Sequence, residues 1–551
     1  MTTKTQRRTQ KTQIFFRFES FLSICFVTFV FFFVFLWSKP VLVFSQHARE
    51  KERERRILEI QRLFTQGDLA GARKLLDQAS KRFPADAGLD NLHGVIEAQE
   101  GNYTAAERSF RRAVARDRKF TGAYLNLGRL YQERSADDSQ VLTKALDVYG
   151  RVLQYEPANA EANYQTAALL MRKGAYQPSL DRLSRLPAEV QEGAQALSIS
   201  CADYAGLGRG ELANEMASRL IAHPDFSEPD LSAILPALRG SRRDDLSVEL
   251  LEGLRKRQSL SPALTRGLGL ACERTGKLAE ARATLEQSVS GDRPTAALLV
   301  DLARVAHKQR DYQGALGYLA HARDLGPSDA GLHYFFGLVC LDLNLVAEAR
   351  AAFDRAVKIE PENPAYNYAL GAASTFRHDP TEAIPYFEKY VRLKPQDARG
   401  KLALGAALVR ARQYDAATRA LTEAAKVSET STTAHYYLGS VARQNGRLDD
   451  AIQELQQALK ARPDYADALA ELGQSYLMKR EYEQAGKFLR RALEIAPDHY
   501  AANFNLLTLY ARTKDEREAA QSARFEEVKE LREEKAQEFL RMIEVRPYSV
   551  P

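Results

Sequence analysis

The stretch AGLHYFFGLVCLDLNLVAEARAAFDRAVKIEPEN, residues 330–363, contains the pattern that decides the fold. Its first half spaces His333, Gly337 and Cys340 four and three positions apart, which places them on one face of a helix. The second half has the same spacing in a further set, Ala349, Phe353 and Ala356. The stretch therefore predicts two helices joined by a short turn at Asn344.

Three residue types recur along the chain at an interval of 34. The glycine row is Gly337, Gly371, Gly405, Gly439 and Gly473. The alanine row is Ala315, Ala349, Ala383, Ala417, Ala451, Ala485 and Ala519, and the proline row is Pro327, Pro361, Pro395, Pro463 and Pro497, with one gap at Glu429. A large apolar residue precedes each glycine. By these residues the chain resembles the tetratricopeptide-repeat family, whose repeats have this period.

The resemblance implies an all-α fold, a right-handed superhelical α-solenoid of stacked helix-turn-helix repeats, which an N-terminal hydrophobic signal or anchor segment precedes. We predict about thirteen or fourteen units. The predicted parts are a basic N-terminus with a signal peptide or transmembrane anchor (1–45), N-terminal repeats (53–186), degenerate helical hairpins (187–295), a C-terminal repeat array (296–518) and a capping or dimerising helix with the tail (519–551).

One irregularity interrupts the front repeats. Gly94 and Gly128 keep the interval of the glycine row, but the alanine that should follow at position 140 stands instead at Ala145. We therefore predict an insertion, Ser135 to Ser139, in the turn between the two helices of that repeat.

The charge of the chain does not indicate a nucleic-acid partner. The formal net charge is +6, and residues 1–20 supply four of these charges. Elsewhere Lys and Arg alternate with Asp and Glu along the helices, which is typical of a solvated surface. We predict no nucleic-acid partner.

The residues show no pattern of a cofactor, metal or catalytic site. Cys272 and Cys340 occupy equivalent inward positions of their repeats, which indicates buried thiols. Residues 206–210, Gly-Leu-Gly-Arg-Gly, have no strand before them and no Gly-Lys-Ser/Thr after them, so they indicate a turn between helices. We predict that the protein is not an enzyme and has neither cofactor nor metal.

The N-terminus contains a hydrophobic run. Between Phe21 and Trp37 only Ser23 and Thr28 are not apolar, and basic residues precede the run. The length of the run suits either a secretory signal, cleaved after Ser45, or a membrane anchor. We leave both open and expect the repeats to lie outside the cytoplasm, in the periplasm if the source is bacterial.

The resemblance also implies where a partner binds, because the first helix of each hairpin lines the concave face in this family. The residues expected there are Tyr334, Leu338, Tyr368, Phe376, Leu402, Val409, Tyr436, Arg443, Met478 and Phe504. Each could instead pack against a neighbouring first helix. We predict a scaffold that binds a peptide or partner subunit in this groove. The alternative is a self-associating structural or assembly factor of the cell envelope, with a possible homo-oligomer through the C-terminal helix.

Overall fold

The computed structural model describes residues 42–134, 139–291, 294–375 and 380–544. These residues form α-helices and one short 3₁₀ helix, and within them there is no strand. The chain divides between Asp225 and Phe226 into two compact units. This boundary lies inside residues 187–295, where the sequence pattern is weakest.

Within the described residues, the first unit contains five helical hairpins and one short extra helix. Its helices are α1 Leu42–Thr65, α2 Leu69–Arg82, α3 Ala87–Gln99, α4 Tyr103–Arg116, α5 Thr121–Arg134, α6 Ser139–Tyr155, α7 Ala160–Arg172, α8 Tyr176–Leu183, α9 Ala188–Gln191, α10 Ala194–Gly206 and α11 Gly210–Ala222. Apart from α9, each helix packs antiparallel on its partner and each hairpin stacks on the next, as in an α-solenoid.

The described residues of the second unit form nine hairpins. The first six comprise α12 Glu228–Gly240, α13 Asp244–Arg255, α14 Pro262–Arg274, α15 Leu278–Gly291, α16 Ala296–Lys308, α17 Tyr312–Leu325, α18 Ala330–Asp342, α19 Val346–Ile359, α20 Pro364–Ser374, the 3₁₀ helix Pro380–Ala383, α21 Ile384–Leu393, α22 Ala398–Arg410 and α23 Tyr414–Ala425. The last three comprise α24 Ser428–Gln444, α25 Leu448–Ala461, α26 Ala466–Met478, α27 Tyr482–Ile495, α28 Tyr500–Thr513 and α29 Glu518–Glu544.

The period of the repeat persists in the helices where the residue pattern fades. First helices begin at Ala194, Glu228, Pro262 and Ala296, and the interval from each start to the next equals that of the glycine row. The stretch without clear glycine and alanine rows is therefore built from hairpins of the same length. Leucines, including Leu231 and Leu264, contribute to its core, and Cys201, Ala213 and Ala281 are buried small residues at positions of the glycine and alanine rows.

The glycine row marks the place where the second helix lies closest to the first. A Cβ atom added to Gly337 would lie 2.5 Å from Cε1 of Phe353 on the second helix. The same relationship recurs at the same spacing along the chain in further pairs: Gly94 with Phe110, Gly371 with Phe387, Gly405 with Leu421, Gly439 with Leu455 and Gly473 with Leu489. In each pair the absent side chain leaves the space that the large residue fills.

Most of the predicted insertion, residues 135–138, lies outside the described residues, and its last residue, Ser139, begins α6. Helix α5 ends at Arg134. Gly128 packs against Tyr149, and the step along the chain from this glycine to its large partner is longer than in the other glycine pairs by the length of the insertion. The insertion therefore leaves the contact between the two helices at Gly128 unchanged.

The alanine row ends one repeat earlier than the sequence predicts. Ala485 is fully buried, but Ala519 is exposed. Helix α29 begins at Glu518, whereas the period counted from Tyr482 requires a start at position 516. Phe525 therefore takes the buried place that the period assigns to position 523.

The predicted signal or anchor, Phe21 to Trp37, lies outside the described residues. Among the helices that the structure describes, none combines enough length with enough apolar character to cross a membrane.

Candidate partner-binding site

Neighbouring first helices of the second unit lie side by side and exchange polar contacts. Arg304 Nε on α16 donates to Glu273 Oε1 on α14 at 2.7 Å. On the other side of α16, His307 Nε2 lies 2.7 Å from Asp342 Oδ2 on α18. Partners in these pairs are separated by about one repeat of sequence. We call the surface that these helices form, from Arg266 on α14 to Phe504 on α28, the first-helix face.

Two predicted tyrosines of this face are half-buried between helices. The Tyr334 ring centroid lies 5.7 Å from that of Phe353 on α19 and 5.0 Å from that of Tyr366 on α20. Tyr368 lies 5.6 Å from Phe387 on α21. Such ring contacts stabilise the packing of hairpins. Much of each ring is therefore engaged within the stack.

Tyr436 has a similar environment in a later repeat. Its ring centroid lies 5.1 Å from those of Tyr437 and Tyr465. Burial raises the pKa of the Tyr436 hydroxyl well above its ordinary value, and the carboxylate of Glu471 adds to the effect. Tyr436 is therefore neutral throughout the physiological range.

Three aliphatic residues predicted for the face are also partly buried. Leu338 packs against the core that contains Phe353. Leu402 and Val409 pack against the core that contains Phe387. Part of the surface of each side chain packs within the stack, and the remaining part stays accessible on the first-helix face.

Arg443 is held in an ion pair. Its Nε donates to Glu471 Oε2 at 2.6 Å and its Nη2 to Glu471 Oε1 at 3.2 Å. This bidentate geometry joins α24 to α26. Because Arg443 is itself buried, its guanidinium is mainly a link between two first helices.

Two predicted residues are exposed, and one lies outside the described part of the chain. Met478 at the end of α26 is 46% exposed, and Phe504 on α28 is 49% exposed. Phe504 retains one ring contact, with Phe525 of α29 at 5.5 Å. Phe376 lies outside the described residues. The structure therefore leaves large apolar surface on the face mainly toward the C-terminal end of the array.

A charged cluster that was not predicted from the sequence lies at the other end of the face. Arg266 Nε donates to Asp301 Oδ2 at 2.6 Å, and Arg304 Nη2 donates to Asp301 Oδ1 at 2.8 Å. Lys308 Nζ lies 2.9 Å from Glu273 Oε1. Counting back two repeats from Tyr334 and one from Leu338 leads to Arg266 and Arg304, so extending the predicted rows would have found both.

The cluster keeps the buried carboxylate of Glu273 charged. Burial alone would raise the pKa of Glu273, but hydrogen bonds from Arg304 and Lys308 outweigh burial and lower it. Glu273 therefore remains an anion beneath the cations. We refer to Arg266, Asp301, Arg304, Glu273 and Lys308 as the charged cluster.

The three described cysteines, Cys201, Cys272 and Cys340, are buried thiols. Desolvation raises the pKa of Cys340 to about 12, with a smaller contribution from Glu348. Within the described residues no group of three or more His, Cys, Asp or Glu side chains could hold a metal ion.

Family models described as tetratricopeptide repeat match more than half of the chain. One matches residues 442–510, and the other matches residues 57–119, 234–297, 300–364 and 402–458. The chain therefore belongs to the tetratricopeptide-repeat family. The comparison with curated proteins gives no match.

Several solved structures are similar to parts of the chain. YrrB, described as a TPR protein with an unusual peptide-binding site, is 27% identical over 33% of this chain and 95% of its own, with a TM-score of 0.29. MamA is 25% identical over 31% of this chain and 92% of its own, with a TM-score of 0.28. A chain of the Cut9–Hcn1 hetero-tetramer of APC/C is 16% identical over 78% of this chain and 85% of its own, with a TM-score of 0.32.

Proposed function

We propose that the protein is a non-enzymatic scaffold that binds a protein or peptide partner on the first-helix face of its second unit. The observation that carries this proposal is the exposure of Met478 and Phe504 on two neighbouring first helices. Membership of the tetratricopeptide-repeat family supports it, because arrays of this kind form extended binding surfaces.

Exposure distinguishes Met478 and Phe504 from the other described residues that were predicted for the face. A side chain that is already packed gains little from a partner, whereas an exposed aromatic or methionine side chain gains apolar contact. Half-buried residues such as Tyr368 and Leu402, on earlier first helices, would then extend the binding surface away from these anchors.

Capture of a partner from the native host tests the proposal. Tagged full-length protein would be purified with the double change Met478→Ala and Phe504→Ala, alongside a control with Leu325→Ala and Ile495→Ala. The control residues are exposed apolar side chains on second helices. We expect a stoichiometric partner with the parent and the control, and its loss with the double variant. Equal capture by all three proteins would contradict the proposal.

We further propose that the segment from Phe21 to Trp37 attaches the protein to a membrane or directs its export, so that the repeats lie outside the cytoplasm. Its apolar composition after a basic start supports this. Alkaline carbonate should not extract an uncleaved anchor, whereas a cleaved protein should be soluble and begin near Gln46. Unprocessed full-length protein free in the cytosol would contradict both outcomes.

A second candidate function is self-association through α29, as in an assembly factor of the cell envelope. The observation that favours it is the partial exposure of Leu531, one turn beyond the buried Val528 on the same helix. Light scattering over a range of protein concentrations would test it. A dimer that Leu531→Glu dissociates would support self-association, and a monomer at every concentration would exclude it.

A further inference from the structure

The charged cluster exposes its cations and buries its anions. The side chains of Arg266 and Lys308 are 41% and 46% exposed, whereas those of Asp301 and Glu273 are only 7% and 4% exposed. Arg304 lies between the two carboxylates and bonds to both. A ligand that approaches this part of the first-helix face therefore meets positive groups first.

The buried carboxylates also hold the cations in place. Arg266 reaches from α14 to Asp301 on α16, and Lys308 reaches from α16 to Glu273 on α14. Long basic side chains lose conformational entropy when they bind a ligand. Because Asp301 and Glu273 already restrict Arg266, Arg304 and Lys308, part of this loss has occurred before a ligand arrives.

Three cations face two carboxylates, so the cluster has one positive charge in excess. On one side of the cluster Arg274 Nε donates to Asp244 Oδ1 at 2.7 Å, and on the other side His307 Nε2 lies 2.7 Å from Asp342 Oδ2. The excess charge of the cluster lies on the exposed ends of Arg266, Arg304 and Lys308.

We propose that the charged cluster binds an acidic segment of the partner protein, one whose carboxylate side chains reach two adjacent first helices. The inference rests on the proposed scaffold function and assigns a chemistry to one part of the same face. Guanidinium groups bind carboxylates through paired hydrogen bonds, and a lysine ammonium adds a further charge-assisted bond.

The test uses a fluorescein-labelled poly-glutamate peptide, with poly-glutamine of the same length as the neutral probe. Binding to the full-length protein in non-ionic detergent is followed by fluorescence anisotropy. The variant is Arg266→Gln with Lys308→Gln. Arg304 is kept, so it still donates a hydrogen bond of 2.8 Å to Asp301 and hydrogen bonds of 2.7 and 2.9 Å to Glu273. The matched control removes two exposed arginines of second helices, Arg355→Gln with Arg392→Gln.

We expect poly-glutamate to bind the parent and the control, and the double variant to bind about tenfold more weakly. Added salt should weaken binding further, because the exposed cations are screened. Equal weakening in the control would show non-specific attraction and overturn the proposal. So would equal affinity for poly-glutamate and poly-glutamine. If circular dichroism shows that the double variant is unfolded, Lys308→Gln alone provides the same comparison.

Failure of this inference is distinguishable from failure of the scaffold function. If poly-glutamate does not bind but the native partner is still captured through Met478 and Phe504, only the charged-cluster proposal is overturned. If the native partner is also captured equally by the Met478 and Phe504 variant, both proposals are overturned.

Discussion

Phe353 lies against the backbone of the preceding helix at Gly337, where an added Cβ atom would be 2.5 Å from the ring. The relationship recurs along the array with Phe or Leu as the large residue. A glycine that is otherwise unfavourable inside a helix is thus required by packing between the two helices of a hairpin.

Gly337→Ala should destabilise the second unit by about 1 to 3 kcal/mol, because the new methyl group forces Phe353 out of its place. Urea unfolding followed by circular dichroism would measure the change. The matched control is Gly317→Ala, since a Cβ atom there meets nothing within 4 Å. The control should gain roughly 0.5 to 1 kcal/mol from helix propensity. Equal effects of the two substitutions would show that the close contact is not important.

Arg412→Gly should stabilise the protein by about 1 kcal/mol. Arg412 has a φ of 58° at the turn of its hairpin, where Gly446 has a φ of 74° one repeat later. A side chain in this left-handed region is strained, and glycine removes the strain. The reverse change, Gly446→Ala, should lower the unfolding midpoint. A loss of stability in Arg412→Gly would indicate that the arginine makes a contact that outweighs the strain.

Tyr368→Ala should lower stability by about 1 to 3 kcal/mol, because the ring packs against Phe387 and Tyr390. The sequence predicted this tyrosine for the binding face, with packing against a neighbouring first helix as the alternative. Met478→Ala provides the control, because its side chain is exposed and its loss should change the melting temperature little. A melting temperature of Tyr368→Ala equal to that of the parent would show that the ring contributes to binding and not to the stack.

Stability of the first unit should fall as pH rises. Asp203 on α10 is fully buried, and neither of its carboxylate oxygens has a hydrogen-bond partner among the described residues. The nearby hydroxyl of Ser179 donates instead to Ala167 O at 2.9 Å. Burial therefore raises the pKa of Asp203 to about 8. The folded state favours the protonated acid. The contribution of Asp203 to stability is therefore complete below the pKa that this group has in the unfolded chain, and it is lost as pH rises through about 8.

Asp203→Asn is the test of that pH dependence. The amide cannot ionise, so the variant should lose less stability than the parent between about pH 6 and pH 9. Urea midpoints across this range would measure it. Parallel curves for parent and variant would show that Asp203 does not titrate there.

The fold could be predicted from sequence because the glycine and alanine rows mark the contact between paired helices. The orientation of the tyrosines could not, since residues from Tyr334 to Leu341 are all apolar or glycine and define no solvent side. The charged cluster depends on how neighbouring hairpins stack. Along the chain, Arg304 and Glu273 are separated by fewer residues than one repeat interval. The period therefore does not specify which residue pairs with Arg304. The late start of α29 arises in the turn that precedes it, and the period of the repeat does not predict the length of that turn.

Site-specific photo-crosslinking tests most directly whether the first-helix face binds the partner. A benzophenone amino acid would replace Met478 in one protein and Leu325 in another, because both side chains are exposed but lie on a first and a second helix respectively. After irradiation in the native host, the first-helix position should form a crosslink to a single partner, and the second-helix position should form none. A crosslink from residue 325 with none from residue 478 would contradict the account.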